Sequence, residues 1–382
     1  MGYLHLEVIT EQIAKKPEHP SGDVISTERD NNSIIHILCD GAGSGIKANI
    51  TATMYVSRIK ELIRRGFSKR EAFAKIVNSV EESKKKELPC AFFTLVRILN
   101  DGVASILMYD MPEPLFVCQR YSTPLKSSSQ MLFGGLVRES NCSLNLGEGI
   151  LIFSDGITQA GIGKGINNGW GIEGLNKFVN ECLRGGANIT ELPKLIISET
   201  KKLWKHKCED DCSVSLIYCR KGRVINILSG PPANPDDDHA VVNKFLGMDG
   251  LKIICGATTA KIAARVMNKQ LEINDEFASI ISPPNYEIEG IGLVTEGAVT
   301  LNQLYNVMGE DLSLLEKGSP VTALSAWLNV ADRINFFVGT AENPAGSDIS
   351  FKQSGILLRK KIIKLIIEKL REEGKFVYLE EF

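Results

Sequence analysis

Four aspartates hold the chemically loaded positions of this 382-residue chain: Asp23, Asp40, Asp155 and Asp210, with Asp211 beside the last. Each stands at an end of a short apolar run, so a strand fixes the backbone and delivers the acid to a turn. Gathered carboxylates are hard oxygen ligands, suited to Mg2+ or Mn2+ far better than to zinc or copper. Two such ions side by side share and deprotonate a water and hold phosphoryl oxygens during in-line displacement, a chemistry that needs no side-chain nucleophile. One aspartate-glycine pair after a strand reads first as a plain turn. The metal reading rests on the set of four.

The elements that must position these acids follow from the local patterns. Ser33-Ile-Ile-His-Ile-Leu-Cys-Asp40 is an isoleucine-rich strand ending in a carboxylate, and Gly41, Gly43 and Gly45 follow it. Ile46, Ile50 and Met54, then Ile59, Leu62 and Ile63, recur at helical spacing, which predicts a helix from the glycine loop to Arg65. Upstream, Val24 to Thr27 and the turn formers Arg29 to Asn32 predict a hairpin with the Asp40 strand. A turn centred between Asn31 and Asn32 sets Asp23 opposite Asp40. Like charges so placed destabilise a sheet, and a divalent cation between them is the economical remedy. After Gly66, Ser68-Lys-Arg-Glu71 predicts a capping box for a second helix, to about Lys85.

The period then changes to that of strands: Ala91–Ile98, Val103–Tyr109 and Leu115–Cys118 form a meander, followed by a polar loop from Ser122 to Gln130. Gly149–Phe153 leads into Ser154-Asp155-Gly156 and repeats the strand-acid-glycine pattern. Two helices (Ile172–Leu183 and Ile189–Trp204) precede a strand, Cys212–Cys219, which Glu209-Asp210-Asp211 introduces. Consecutive strands on short turns imply layered α and β structure with largely antiparallel sheets. Composition shifts at the turn-rich, acidic stretch Gly230–Asp238, giving a first domain over 1–225, a linker over 226–238 and a second domain over 239–382. In that last part strands (Lys252–Cys255, Glu287–Val294, Asn335–Val338, Phe376–Leu379) alternate with helices from Thr259, Thr300 and Leu357, as in an α/β fold with a mainly parallel sheet. Three of its strand-to-helix loops, Gly256–Ala260, Thr295–Thr300 and Gly339–Ala345, carry small and hydroxyl residues that attract anions. A small phosphorylated or anionic ligand is one expectation there; a structural or dimerising role, giving a homodimer, is the other.

The composition narrows the partners. A net charge of −2 with 24% charged and 43% hydrophobic residues lacks the basic excess of a nucleic-acid or membrane binder. No charged-then-apolar leader opens the sequence, and the expectation is a cytoplasmic protein. The 9 cysteines are scattered and mostly set in apolar strands, as reduced core residues are. Cys208, Cys212 and Cys219 with His206 lack the tight pairs of a zinc site. His36, inside an apolar strand, reads as a packed core residue.

In order and setting, Ser21-Gly-Asp23, Asp40-Gly-Ala-Gly-Ser-Gly45, Ser154-Asp155-Gly156 and Asp210-Asp211-Cys-Ser-Val214 resemble the PPM-type metal-dependent Ser/Thr protein phosphatases, in their bacterial SpoIIE-like branch. The resemblance covers about residues 1–225 and includes Phe93–Arg97 and the Pro112–Pro114 turn. It implies an α/β/β/α sandwich of two antiparallel sheets and two Mn2+ or Mg2+ ions. It further implies metal ligands at Asp23, Asp40 (bridging both ions), the Gly41 carbonyl, Asp155 and Asp210, with Asp40, Asp155 and Asp210 catalytic through them. The implied substrate is a phosphoserine or phosphothreonine protein, with the C-terminal domain regulating activity. The helices from Ile46 to Lys85 are implied to couple regulation to metal binding. The sequence departs from the family at Gln159, Gly149 and Cys212-Ser213, which bears on substrate contacts and tuning. His19, Arg97 and Arg120 are candidates, by location alone, for gripping phosphate. The alternative is a PPM-fold regulatory protein of weak catalysis that binds an anionic ligand through its C-terminal domain.

Overall fold

The computed structural model describes residues 3–30, 32–274, 285–341 and 356–382. It divides into two compact units, Leu4–Lys221 and Gly222–Phe382 with Tyr3. Asn31, on which the predicted hairpin turn was centred, and the end of the predicted Gly339–Ala345 loop lie outside the described residues. Among the described residues no helix is long and apolar enough to cross a membrane.

The first unit contains β1 (Leu4–Ile13), β2 (Asp23–Arg29), β3 (Ser33–Gly41), α1 (Ile46–Arg64), α2 (Lys69–Lys85), β4 (Ala91–Leu99) and β5 (Val103–Tyr109). It continues with β6 (Leu115–Val117), β7 (Ser122–Pro124), β8 (Ser128–Leu132), β9 (Gly135–Ser143), β10 (Gly149–Phe153), α3 (Asp155–Thr158), α4 (Gly171–Arg184), α5 (Leu192–Leu203) and β11 (Cys212–Lys221). Two sheets result, ordered β1-β11-β10-β6-β7 and β2-β3-β4-β5-β9-β8, and every strand pair in them is antiparallel.

Three apolar layers hold the sheets and helices together. Alternate residues of β3 explain two of them: Ile35, Ile37 and Cys39 pack under α1 and α2 with Tyr55, Ile59, Phe73 and Ile76, while Ile34 and Leu38 meet Ile150, Ile152 and Ile217 of the other sheet. A strand covered on both faces must be apolar throughout, which is why β3 shows no alternation in sequence. The third layer joins β10 and β11 to α4 and α5 through Leu151, Phe153, Val179, Ile196 and Leu216. The unit is therefore the expected α/β/β/α sandwich.

His36 is wholly buried in β3, its Nδ1 2.8 Å from the Thr27 hydroxyl. Burial pushes its imidazole down to about 4 from 6.5. The fold favours the neutral ring, so this contribution is complete above the ordinary value and is lost as pH falls towards the depressed one. His36→Leu is expected to flatten the acid limb of stability: urea midpoints taken above and below that window should differ less in the variant than in the parent.

Two features of this unit go beyond or against the sequence reading. Ile46, Ile50 and Met54 do not face the core; they are 54%, 62% and 54% exposed. The buried face of α1 is instead Ala48, Thr51, Ala52, Tyr55, Val56 and Ile59, because small residues let the helix approach the end of β3 closely. The polar stretch after Ser122 is not all loop, since it forms β7 and β8 and is followed by β9. Phe133 and Gly134, at φ 53° and 95°, make the two-residue turn between β8 and β9, and a phenylalanine at positive φ gives no turn signal in sequence.

The second unit contains β12 (Val224–Ser229), α6 (Asp238–Gly247), β13 (Leu251–Cys255), α7 (Ala257–Met267), β14 (Glu272–Asn274), β15 (Asn285–Glu287) and β16 (Leu293–Thr295). After these come α8 (Ala298–Val307), α9 (Pro320–Val330), β17 (Arg333–Val338), the helix Arg359–Glu372, here α10, and β18 (Phe376–Glu381). The sheet runs β14-β15-β16-β13-β12-β17-β18, parallel from β16 to β18 and antiparallel at β14 and β15. One face packs on α6 and α7, the other on α8, α9 and α10. Residues 226–229, which the composition assigned to a linker, complete β12, an inner strand of this sheet between β13 and β17. Their apolar run precedes the Pro-rich stretch that signalled the boundary. The strand expected over Glu287–Val294 is two short ones, β15 and β16.

Candidate active site

The β2–β3 hairpin pairs Asp23 directly with Asp40, the register that counting from the turn predicts. Asp155 follows β10 as the first residue of α3, behind Ser154. Asp210 immediately precedes Asp211 and β11. Strands from both sheets thus bring the four predicted acids together, and Asp40 is the hub, within the electrostatic reach of Asp23, Asp155 and Asp210.

Glycines make this approach sterically feasible. Gly41 lies against α1, where a Cβ would stand 2.1 Å from the carbonyl oxygen of Ala48. At Gly156 a Cβ would stand 2.1 Å from the carbonyl oxygen of Asp211, so only glycine lets the Asp155 turn pack on the strand start that carries Asp210. Trp204, buried, donates its indole N–H to the Gly156 carbonyl at 3.2 Å and pins the same turn. Gly41→Ala is expected to lower stability by about 1–3 kcal/mol through overpacking. A thermal melt reads that loss, and a Mn titration should show weaker binding as the end of β3 is pushed off α1.

Charge in the cluster is poorly compensated. Burial first, then the neighbouring Asp23, Asp155 and Asp210, pushes the Asp40 carboxyl up to about 9. Asp23, 2% exposed, is pushed up to about 7, mainly by burial and also by Asp211 and Asp155. The hydroxyls of Ser213 and Ser154 lie beside it and favour its charged form, but outside hydrogen-bonding geometry, for both its carboxylate oxygens are buried without a partner. Burial and Asp155 raise Asp210 to about 6. Asp155 accepts from Gln159 Nε2 at 2.6 Å through Oδ2, while Oδ1 is buried and unpartnered. Three orphaned carboxylate oxygens among mutually repelling acids fit a hard divalent cation. As they stand, no three His, Cys, Asp or Glu side chains among the described residues are gathered tightly enough to hold a metal ion.

The residues around the acids sort into supporting roles. Asp211, 4% exposed, accepts from the backbone N–H of Lys15 at 2.7 Å and of Gly22 at 2.9 Å. Both oxygens are engaged in tying the β1–β2 connection to β11. Gln12 donates to the Ser213 hydroxyl at 2.8 Å and to the Asp23 carbonyl at 3.0 Å. Gln159, a departure from the family pattern, serves as a donor that orients Asp155.

The three phosphate-gripping candidates separate. Arg97 sits on β4 at the position paired with Ile35, whereas Asp40 pairs with Phe92, so five residues of strand, about 17 Å, part it from the acids. Arg120 follows the β6 end paired with Gly149, whereas Asp155 lies beyond the opposite end of β10. Of the three, His19 lies by the glycine loop that follows Asp40, its Cβ 3.9 Å from where a Cβ of Gly45 would be. Lys15, whose ammonium favours the charged form of Asp210, is a cation that the sequence reading missed. Nothing local marks a lysine in a loop 195 positions away from its partner. Of the Cys208, Cys212 and Cys219 set, Cys212 and Cys219 lie towards opposite ends of β11, and none of the nine cysteines is in a disulfide.

The model of the family described as stage II sporulation protein E (SpoIIE) matches residues 30–220. Among solved structures, the phosphatase domain of SpoIIE from Bacillus subtilis is 16% identical, covering 58% of this chain and 95% of its own with a TM-score of 0.44. The SiaA-PP2C domain of Pseudomonas aeruginosa is 15% identical, covering 55% and 85% with a TM-score of 0.46. RsbX in complex with magnesium is 14% identical, covering 56% and 99% with a TM-score of 0.41. No curated protein matches the sequence significantly. The family match takes in half of the chain and all of the acids but Asp23, and this protein belongs to the SpoIIE family of PP2C-like, metal-dependent phosphatases.

Proposed function

We propose that this protein is a protein phosphatase that hydrolyses phosphoserine or phosphothreonine in a partner protein, using two Mn2+ or Mg2+ ions, under the control of its C-terminal unit. One observation carries the reading: Asp40, paired with Asp23, neighbours Asp155 and Asp210 in a buried cluster with three carboxylate oxygens unpartnered. When bound, the ions supply an activated water and positive charge for the phosphoryl oxygens.

The chain's own residues divide the remaining work. Asp40 would reach both ions, with the Gly41 carbonyl beside it. Asp23, Asp155 and Asp210 would complete the donor set, Asp155 being held in one rotamer by Gln159. Ser154 and Ser213 support the charged form of Asp23, and Lys15 that of Asp210. Lys15 and His19 are the cationic or ionisable groups placed to meet the dianionic phosphate at the rim. The exposed stripe Ile46, Ile50 and Met54 starts directly after the glycine loop and suits a polypeptide substrate better than a free small phosphate.

The test is hydrolysis of a phosphoserine peptide and of p-nitrophenyl phosphate by the full chain, with Mn and with EDTA. Mn-dependent turnover that Asp155→Asn removes supports the reading. Turnover that is absent with Mn and also with Mg in its place, or that Asp155→Asn leaves unchanged, overturns it and favours the non-catalytic regulatory alternative.

A further inference from the structure

The parallel sheet of the C-terminal unit has a topological switch point. β12 connects to β13 across the α6 and α7 face, while the neighbouring β17 connects to β18 through α10 on the opposite face. Chains that leave adjacent strand ends in opposite directions open a crevice there, and ligands of doubly wound sheets bind in it.

Several independent observations at this point indicate an anion. Ser229 ends β12, shares the α8–α10 face with Ile225 and Ile227 by alternation, and is 0% exposed with its hydroxyl unpartnered. Arg359, the first residue of α10, reaches the two loops that leave β12 and β17, which the Gly339 N–H to Ser229 carbonyl bond at 3.0 Å and the Ala341 N–H to Pro231 carbonyl bond at 3.3 Å hold together. Its Nη2 donates to the carbonyls of Gly339 at 2.9 Å and Ala341 at 3.1 Å, and its guanidinium carbon would be 2.1 Å from a Cβ at Gly230. Its Nε is buried and has no acceptor. Thr300, in the first turn of α8, is likewise 0% exposed with an unpartnered hydroxyl. Buried donors are normally satisfied, and Ser229, Thr300 and Arg359 leave three unsatisfied ones at the end of β12 and the starts of α8 and α10.

The helix ends agree in sign. α10 opens with Arg359, Lys360 and Lys361 and has no acid in its first turn, an arrangement that opposes the helix dipole unless an anion sits there. On the other face, Asp236, Asp237 and Asp238 gather at the start of α6 and exclude an anion. Asn302 fixes the geometry by accepting from the Leu357 N–H at 2.9 Å and donating to its carbonyl at 3.0 Å, which sets α10 against α8 before any ligand arrives.

We propose that Arg359, Ser229 and Thr300 form a binding site at the β12/β17 switch point for the anionic group, phosphate or carboxylate, of a small molecule. The site is separate from the acid cluster and does not rest on the phosphatase reading.

Inorganic phosphate and acetate are the probes, titrated into the full chain in EDTA and followed by calorimetry and by the melting temperature. Saturable binding of one of them is expected, and which one binds tells phosphate from carboxylate chemistry. It should persist in Asp40→Asn, weaken roughly tenfold or more in Arg359→Gln, and weaken less in Ser229→Ala and Thr300→Val. Ser229→Ala also answers the objection of misfolding: removing an unpartnered hydroxyl should leave the unliganded melting temperature no lower than that of the parent. The proposal is overturned if neither probe saturates, if Arg359→Gln and Ser229→Ala bind as the parent does, or if Asp40→Asn strengthens binding and so places the anion beside the acid cluster.

Discussion

Asp40→Asn is expected to lower Mn-dependent hydrolysis on the order of 1000-fold, the equivalent of several kcal/mol of metal-supplied charge stabilisation. The amide keeps the shape of the carboxylate, so β3 and its pairing with Asp23 should survive. What disappears is the one charge that neighbours all three other acids. In EDTA at a pH high enough for Asp40 to ionise beside the other acids, the variant should melt above the parent, because a member of a repelling cluster has been neutralised; with Mn it should gain little or nothing. That combination separates loss of a metal seat from loss of fold. Asp211→Asn makes the contrast, since its two carboxylate oxygens accept from Lys15 and Gly22 backbone N–H groups. An amide there would turn one acceptor into a donor facing a donor, costing about 1–3 kcal/mol with or without metal. Melting curves of both variants in EDTA and in Mn decide: if Asp40→Asn behaves as Asp211→Asn does, Asp40 is structural and the assignment fails.

The parts of this molecule that were legible in the sequence are those fixed by local period and by counting. The β2–β3 register follows from the distance of Asp23 and Asp40 to their shared turn, and the Ser68–Glu71 capping box is formed in both directions. The strand-acid-glycine pattern located Asp155 because Gly156 answers a steric demand at that residue. What escaped is set by tertiary neighbours. Which face of α1 is buried depends on how close the helix comes to Gly41, and a count of apolar residues favours the bulky side that is in fact exposed. Residues 226–229 belong to an inner strand, yet composition placed the boundary at the prolines that follow. Arg97 lies on the strand next to β3 but far from its acid end, and Arg120 follows the end of β6 remote from Asp155, a distinction that strand direction settles and residue type does not. Lys15 and Ser213 meet the acids across separations of about two hundred residues, where no spacing rule operates.

The metal-free protein is expected to lose stability as pH rises, and Mn to restore more of it the higher the pH. Asp40, Asp23 and Asp210 are held at about 9, about 7 and about 6, against 3.8 in the unfolded chain. Each folded-state value is raised, so the fold binds these protons more tightly than the unfolded chain does. Their contribution is complete below 3.8 and is lost step by step as pH climbs through about 6, 7 and 9. Binding of a cation requires the charged carboxylates and releases those protons, so metal affinity must rise over the same interval. At a Mn concentration a hundredfold above its dissociation constant the stabilisation is about 2.7 kcal/mol, or roughly 5–10 °C for a unit of this size. Calorimetric scans in EDTA and in Mn across the interval should therefore diverge, the EDTA transition of the phosphatase unit moving down while the Mn transition holds. Parallel curves with a constant gap would mean that the acids are already ionised without metal. The raised values would then have another origin than uncompensated burial, and the cluster would be a hydrated acidic surface with no seat for cations.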